Sequence, residues 1–133
     1  MSRVRILPAP PSASLAAASV APMRAVEMDG PGGGWRVLVP ETRRERMRGL
    51  RGHPPPGPKE AMLFRECRSV QTFGMKEPIS VVFLDGRMRV VGVRRCRPGR
   101  LVLSRRGARH VLETGAGSRL AIGDRFSPVR TGR

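Results

Sequence analysis

The residue types that carry most enzyme chemistry are few and scattered in this chain of 133 residues. Its two histidines lie far apart: His53 falls in a proline-rich stretch, and His110 precedes Val111 and Leu112 in a predicted strand. A nucleophilic site needs a nucleophile, a base and an orienting acid, and no serine here lies in a nucleophile-elbow sequence. We therefore assign no catalytic residue.

Acidic residues and metal ligands give an equally weak signal. Asp85, Glu113 and Asp124 could supply a pair of carboxylates, but Asp85 and Asp124 are first explained as turn residues. Two histidines without a cluster of His, Asp and Glu do not indicate a transition-metal site. The sequence predicts no metal and no cofactor.

The two cysteines, Cys67 and Cys96, form no Cys-x-x-Cys pair. We predict that both are free thiols, because a disulfide would require adjacent strands and an oxidising compartment.

Arginine dominates the charge of the chain, whose formal net charge is +16. Because Lys59 and Lys76 are the only lysines, 24 of the 26 basic residues are arginine. A G+C-rich coding sequence explains such a bias, and a surface for nucleic acid or another polyanion is the functional alternative. One Trp, four Phe and no Tyr leave few stacking platforms for single strands. The polyanion alternative would use Arg43, Arg44, Arg46, Arg48, Arg94, Arg95, Arg97 and Arg100.

The clearest structural signal lies in residues 79–94. An unbroken apolar run ends at Asp85-Gly86, and a second run rich in valine follows. A two-residue Asp-Gly loop between apolar runs predicts a β-hairpin in which both loop residues have positive φ. We expect residues 79–84 and 87–94 to pair, with Val81, Phe83 and Val90 in the core.

The remaining pattern predicts short strands and one helix. Thr42 and Glu45 have capping-box spacing at the start of a helix over residues 42–50, in which Met47 and Leu50 form a narrow apolar stripe. Short strands at regular spacing with one helix indicate a mainly β (α+β) domain, a small antiparallel barrel or sandwich. The helix should cover one opening of the sheet. Further strands are predicted at 35–39, 61–64, 70–73, 101–103 and 109–113.

The first 34 residues differ from the rest, because they are rich in Pro, Ala, Ser and Gly. We predict a disordered, removable tail over 1–34, one domain over 35–126 and a frayed end over 127–133. Met23 and Met28 are alternative start positions. Prolines interrupt the apolar stretch that a signal peptide needs, and no segment has the roughly 20 apolar residues of a membrane span. We expect a cytoplasmic protein, with export as the open alternative.

Seven motifs then occur in a recognisable order: RMRGL, AMLF, TFGMKEPISVVFLDG, PGR, SRRGARHVLE, GAG and IGD. Their order resembles the domain of unknown function 192 family over residues 35–126. The resemblance implies a compact, mainly β fold with a short helix, found in small bacterial and archaeal proteins. It implies no established activity, and members of the family include exported and cytosolic forms.

Three departures from the family pattern affect a shared site. Leu50 is followed by residues 51–53, Arg-Gly-His, where the family usually continues with Met and Arg. Ser80 stands where an Asp is often found, and Gln71 stands where the most similar sequences often have a histidine. If that Asp and His serve one site in the family, this chain has lost both.

Three functions from different classes follow. The preferred one is a non-catalytic binding or accessory domain, for a protein partner or a small ligand, with a groove around residues 72–80. The second is binding of polyanions or nucleic acid, which at low salt is non-specific for any protein of this charge. The third is a small enzyme with an unrecognised site. The predicted ligand-binding residues of the groove are Gln71, Thr72, Met75, Lys76 and Ser80.

Overall fold

A computed structural model describes residues 5–6, 23–67, 69–72, 74–103 and 106–129. Within these residues the chain forms ten strands and one short helix. In chain order they are β1 (Arg5–Ile6), β2 (Arg24–Gly30), β3 (Gly33–Val39), α1 (Arg43–Arg48), β4 (Glu60–Phe64), β5 (Ser69–Gln71), β6 (Ile79–Leu84), β7 (Val90–Cys96), β8 (Leu101–Leu103), β9 (His110–Gly115) and β10 (Ser127–Pro128).

The main sheet has the strand order β1-β2-β3-β4-β9-β6-β7, with β10 paired to β2. Its strands are antiparallel except for β3 and β4, which run parallel. Parallel neighbours need a long crossover, and residues 40–59, which include α1, provide it. The predicted mainly β fold with one helix is thus confirmed. The prediction of a single sheet is corrected, because β5 and β8 form a separate two-stranded sheet.

The main sheet is curled, and residues 124–128 connect its two ends. The Val90 amide donates to the Asp124 carbonyl at 2.8 Å, and the Phe126 amide donates to the Met88 carbonyl at 3.0 Å. Directly afterwards, Ser127 pairs with Asp29 of β2. This strip therefore links β7 to β2.

Two apolar clusters lie on opposite faces of the curled sheet, because successive residues of a strand point to opposite sides. The cluster on the side of the connecting strip, called the inner core, contains Trp35 and Phe126, whose rings meet edge to face at 5.2 Å. The predicted core residues Val81, Phe83 and Val90 are all fully buried. The inner core is Val26, Met28, Trp35, Val37, Val39, Ala61, Leu63, Val82, Leu84, Val90, Leu112, Leu120 and Phe126.

The second cluster, called the outer core, lies on the other face beneath β5, β8 and the segment that follows α1. Leu50 and Val102 reach into it from these covering elements. The outer core is Ala25, Leu38, Leu50, Met62, Phe64, Val70, Ile79, Val81, Phe83, Cys96, Val102, Ala108 and Val111.

The N-terminal boundary differs from the sequence-based expectation. β2, which the composition assigned to a disordered tail, pairs with β3 along its whole length and buries Val26 and Met28. The apolar residues of β2 lie among Pro and Gly in the sequence. They become buried only because β3 is present as a partner strand. A deletion up to Trp35 would therefore remove a sheet strand. Residues 1–4 and 7–22 of the predicted tail lie outside the described residues.

The C-terminal boundary differs in the same way. Ser127 and Pro128, predicted to be frayed, form β10 beside β2. Residues 130–133 lie outside the described part of the chain.

The β6–β7 hairpin is confirmed, but its loop is longer than the two residues predicted. The Asp85 amide donates to the Arg89 carbonyl and the Met88 amide donates to the Asp85 carbonyl, so three residues form the loop. The positive φ, 62°, belongs to Met88 rather than to Asp85 or Gly86. The Asp85 carboxylate accepts from the amides of Arg87 and Arg89, at 2.8 and 3.0 Å, and so stabilises this longer loop.

The helix begins as its sequence predicts. The Thr42 hydroxyl accepts from the Glu45 amide at 3.0 Å, and the Glu45 carboxylate accepts from the Thr42 amide, which completes the capping box. These backbone bonds lower the pKa of Glu45. The predicted apolar stripe is half right, because Leu50 is buried whereas Met47 is 63% exposed. The helix is too short to bring both onto one covered face.

Among the described residues, no helix has the length and apolar character needed to cross a lipid bilayer.

Candidate functional site

A groove of about 800 Å³ opens on the outer face of the main sheet. α1 and the turn after it form one wall, β5 and Met75 form the other, and Phe64 and Glu113 lie between them. We call it the Glu113 groove. It is lined by Glu41, Arg43, Arg46, Met47, Arg48, Gly49, Leu50, Arg51, Phe64, Cys67, Ser69, Val70, Gln71, Met75 and Glu113.

A second cavity, of about 570 Å³, adjoins this groove and shares Leu50, Arg51 and Met75 with it. We call it the proline cavity, because residues 52–56 of the connector form one side. Its other sides are residues 74–79 and 115–117. The two cavities together follow the segment around which the sequence predicted a groove.

Glu113 reaches the groove because of its place in β9. Leu112 points to the inner core and Glu113 to the opposite face, in register with Met62 of β4 and Val81 of β6. The side chain is buried, with only 4% of the residue exposed.

The chain after α1 passes close over the Glu113 carboxyl. A Cβ added to Gly49 would lie 3.5 Å from Cζ of Phe64 and 4.0 Å from Oε1 of Glu113. Gly49 has a φ of 56°, and its amide donates to the Glu45 carbonyl and ends the helix. A glycine at this position allows the helix to end directly above the acid.

Burial raises the pKa of Glu113 from its ordinary value of 4.5 to about 8. Its carboxyl forms no hydrogen bond and no ion pair with any residue that the structure describes. At neutral pH the carboxyl is therefore mostly protonated and can donate one hydrogen bond or release one proton.

Four arginines, Arg43, Arg46, Arg48 and Arg51, line the wall that α1 and its turn provide. Arg46 donates to the Arg65 carbonyl at 3.0 Å, Arg48 donates to the Arg51 carbonyl at 3.1 Å, and Arg51 donates to the Met47 carbonyl at 2.7 Å. Within the described ranges, none of the four pairs with a carboxylate. The groove therefore has positive charges along this wall.

Both cysteines are free thiols, as predicted, and both lie near Glu113. Cys67 lines the groove, and its thiol donates to the Ser69 carbonyl at 3.1 Å. Cys96 is buried in the outer core, where burial raises its pKa and nearby Glu113 adds to the increase. The buried thiol is therefore held in its uncharged form.

The five predicted ligand-binding residues are not all in one place. Gln71 and Met75 line the Glu113 groove, and Lys76 lines the proline cavity beside Met75.

Thr72 and Ser80 lie outside the lining of both cavities, which corrects their predicted position. The buried Thr72 hydroxyl donates to the Arg97 carbonyl at 2.7 Å and accepts from the Arg100 amide at 2.8 Å. Ser80 is buried on the inner-core side of β6, opposite Thr114. Both hydroxyls serve the packing of the fold.

The two arginine groups proposed as polyanion contacts have different surroundings. On α1, all but Arg44 line the Glu113 groove. The second group, Arg94, Arg95, Arg97 and Arg100, is exposed along β7 and the turn after it and lines neither cavity.

The remaining candidates have local structural roles. His110 accepts a hydrogen bond from the Glu66 amide at 3.0 Å through Nδ1, and burial lowers its pKa. Asp124 accepts from the Ala121 amide at 2.8 Å, in agreement with its predicted turn role. Across the described residues, no three His, Cys, Asp or Glu side chains come close enough to hold a metal ion.

Sequence reasoning named Glu113 only as one of three possible paired carboxylates. One signal could have ranked it higher. It is the single acid within HVLETG, a strand in which only His110 is also ionisable, and the side chains next to the acid, Leu112 and Thr114, offer it no ionic partner. Its place at the bottom of a groove depends on α1 and β5, which are distant in sequence.

Comparisons with known proteins agree with this fold. Residues 25–126 match the model of the domain of unknown function 192 family, DUF192, described as "Uncharacterized ACR". A UPF0127 protein of Thermococcus sibiricus is 34% identical over 88 residues, which cover 62% of this chain and 56% of that protein. The match thus spans little more than half the length of that relative.

Two solved structures have the same fold. A protein of unknown function from Novosphingobium aromaticivorans aligns with a TM-score of 0.67 at 19% identity, covering 89% of this chain and 98% of that one. A protein from Sinorhizobium meliloti, described as a candidate transcription regulator, aligns with a TM-score of 0.62 at 22% identity, covering 77% and 91%. The family match extends over most of the chain and includes β2, so this chain belongs to the domain of unknown function 192 family.

Proposed function

We propose that this chain is a non-catalytic binding domain whose ligand occupies the Glu113 groove. The observation that carries the proposal is the Glu113 carboxyl, which is buried, lines an open groove and has no partner among the described residues.

Free energy supports a ligand at this position. Burial disfavours the charged form of Glu113, as its raised pKa indicates, whereas a leucine at the same position would contribute to the outer core. A ligand in the groove could accept a hydrogen bond from the protonated carboxyl. A buried acid that lines an open groove is therefore suited to binding.

The groove favours binding over catalysis. Of its described lining residues, Cys67 is the strongest nucleophile, but its thiol is bonded to the Ser69 carbonyl and no histidine lines the groove to activate it. A protonated acid alone supports one proton transfer, not a complete catalytic set.

Mapping of small fragments by ¹⁵N NMR tests the proposal. We expect a subset of fragments to shift the amides of Gly49, Met75 and Glu113 together, because these residues surround one space. Ser69→Trp should reduce this binding by filling the groove. Leu103→Trp is the matched control, because Leu103 is the cross-strand neighbour of Ser69 and does not line the groove. Fragments that bind only elsewhere would contradict the proposal.

Binding of a polyanion is the second candidate, favoured by the arginines of α1 that have no carboxylate partner. The Sinorhizobium neighbour, described as a candidate transcription regulator, points in the same direction. Against it, α1 has six residues and presents little surface to a duplex groove, and the second arginine group lies on β7.

Titration of duplex and single-stranded DNA at near-physiological salt separates the two candidates. We expect weak binding with little sequence preference. For duplex DNA, the logarithm of the association constant should fall by about 0.9 per phosphate neutralised for each tenfold increase in salt concentration. Submicromolar affinity, lost when Arg43, Arg44, Arg46 and Arg48 are reversed to Glu, would place nucleic-acid binding first. The same reversal of Arg94, Arg95, Arg97 and Arg100 shows whether the second predicted group of contacts takes part as well.

A further inference from the structure

We infer, resting on the proposed function, that the Glu113 groove selects a small organic anion that carries a neutral acceptor oxygen below its charged group. The anionic group would lie at the wall formed by Arg43, Arg46, Arg48 and Arg51, called the arginine wall. The acceptor oxygen would bind the Glu113 carboxyl. A keto, ester or N-acyl carboxylate has this chemistry.

The arginine wall determines the sign of the ligand charge. A buried acid could also bind an ammonium group, which would keep the carboxyl ionised. Arg43, Arg46, Arg48 and Arg51 would repel such a ligand on its way in, and the net charge of +16 acts in the same direction. An anion is attracted by the same groups.

The arginines and the acid act at different depths. Burial raises the pKa of Glu113, and none of the arginines that the structure describes contributes to this shift. Glu113 is only 4% exposed, whereas Arg43 and Arg48 are exposed, so the guanidinium groups lie towards the mouth of the groove and the carboxyl lies at its floor. A ligand that satisfies both needs two separate oxygen groups.

Apolar side chains fill the space between these two levels. Leu50, Phe64, Val70 and Met75 line the groove below the arginines, and Met47 lies exposed at its edge. Thioether and aromatic groups of this kind adapt to an apolar ligand body. A short alkyl chain fits between the charged end and the acceptor oxygen, and a phenyl ring attached next to that oxygen can pack on the same apolar side chains.

Other ionisable groups face Glu113 from every element that packs against it. From the helix side these are the four arginines and Glu41, whose carboxylate is paired with Arg24 at 3.2 Å. From the sheet side they are Cys67 and Cys96, with Arg94 beside Cys96. Among these groups, burial raises the pKa of Glu113 from 4.5 to about 8 and also raises the pKa of Cys96.

Binding should therefore weaken in alkali. Below the pKa of about 8 the carboxyl donates its proton to the acceptor oxygen. Above it, the ionised carboxylate repels that oxygen, so the affinity should fall by about tenfold between pH 7 and pH 9.

Calorimetry with three matched probes tests the inference. 3-Benzoylpropionate has the carboxylate, the carbonyl and the ring, 4-phenylbutyrate lacks the carbonyl, and 3-benzoylpropionamide lacks the charge. We expect 3-benzoylpropionate to bind at least about fivefold more tightly than either analogue at pH 6.5.

Two variants assign the contacts. Glu113→Gln keeps an N–H donor at every pH. Its affinity for 3-benzoylpropionate at pH 6.5 should therefore stay within about threefold of the native value, and this affinity should no longer fall as the pH rises. Arg43→Gln with Arg48→Gln should weaken binding about three- to tenfold and reduce its salt dependence. Arg97→Gln with Arg100→Gln removes the same charge outside the groove and should change affinity less than twofold.

The outcomes separate this inference from the proposed function. Equal binding of all three probes in the groove, or a pH profile that Glu113→Gln leaves unchanged, would overturn the ligand class and leave groove binding intact. The ligand class would also be overturned, with groove binding left intact, if none of the probes binds while other fragments shift the groove amides. If neither probes nor fragments shift them, both the inference and the proposed function fall.

Discussion

The two faces of the main sheet are built from the same strands but treat polar side chains differently. On β9, Leu112 belongs to the inner core, where Trp35 and Phe126 fill the space between the curled strands. The next residue, Glu113, points to the outer face and meets a groove.

The cause of the difference is how each face is covered. The inner face is enclosed by the sheet itself and by the strip over residues 124–128. The outer face is covered by separate pieces, α1 with its following turn on one side and the β5–β8 sheet on the other, and the groove opens between them. Closure supports stability, whereas the gap between the covering elements forms the groove that we propose as a binding site.

The largest expected effect is on the inner face. Phe126→Ala removes a buried ring that contacts Trp35 and belongs to the connecting strip, so we expect a loss of about 3–5 kcal/mol in the free energy of unfolding, measured by urea denaturation. Ile122→Ala, four residues earlier and 67% exposed, should change it by less than about 0.5 kcal/mol. Equal effects would contradict the placement of the inner core.

The outer face should instead gain from losing its acid. The unfolded chain ionises Glu113 near its ordinary pKa of 4.5, whereas the folded chain holds the proton to about pH 8, so stability is lost as the pH rises between these values. Between these values, each pH unit lowers the free energy of unfolding by about 1.4 kcal/mol, which gives about 3 kcal/mol between pH 5.5 and 7.5. Relative to the native chain, Glu113→Gln should gain this amount over that range.

Glu77→Gln is the control for this pH dependence, because Glu77 is exposed. A Glu113→Gln curve parallel to the native curve would show that the carboxyl is not held protonated.

A smaller effect is expected where the outer sheet is attached. Thr72→Val keeps the side-chain shape but leaves the Arg97 carbonyl and the Arg100 amide without the hydroxyl, so we expect a loss of about 2 kcal/mol. Thr72→Ser retains the hydroxyl and should recover more than half of this in thermal unfolding. If Val is tolerated and fragment binding in the groove is lost instead, Thr72 acts in binding, as the sequence suggested.

The smallest effect concerns the helical wall. Thr42→Ala removes the capping box and should cost about 1 kcal/mol, with faster amide hydrogen exchange confined to α1. Arg44 is exposed on the same helix, so Arg44→Ala should leave the free energy of unfolding and the amide exchange rates of α1 unchanged. If Thr42→Ala lowered the free energy of unfolding as much as Phe126→Ala, the outer covering would be as essential to stability as the inner core.

Local interactions account for what the sequence predicted well. The bounds of β6 and β8 agree with the prediction, and those of β4 and β9 agree within one or two residues, because apolar runs between turn residues are short-range signals. Thr42 and Glu45 start the helix as predicted, since a capping box involves neighbours only. The Asp85 loop was placed correctly, but its length was not, because the Asp85 carboxylate binds the Arg89 amide and selects a three-residue loop.

Contacts between distant segments decided the rest. β2 is a strand because β3 pairs with it, and β10 is a strand because the curled sheet brings β2 within reach. Composition alone assigned both to disordered ends. The parallel pair of β3 and β4 and the separate β5–β8 sheet depend equally on tertiary packing.

The same division applies to the candidate site. By itself the sequence determined a mainly β domain with one capped helix, and it predicted an arginine-rich surface and a groove near residues 72–80. Only the tertiary structure decided that Gln71 and Met75 line this groove, that Thr72 and Ser80 do not, and that Glu113 lies at its floor. Side-chain direction along a strand follows from alternation, but burial depends on what covers that face, and here the covering elements come from distant parts of the chain.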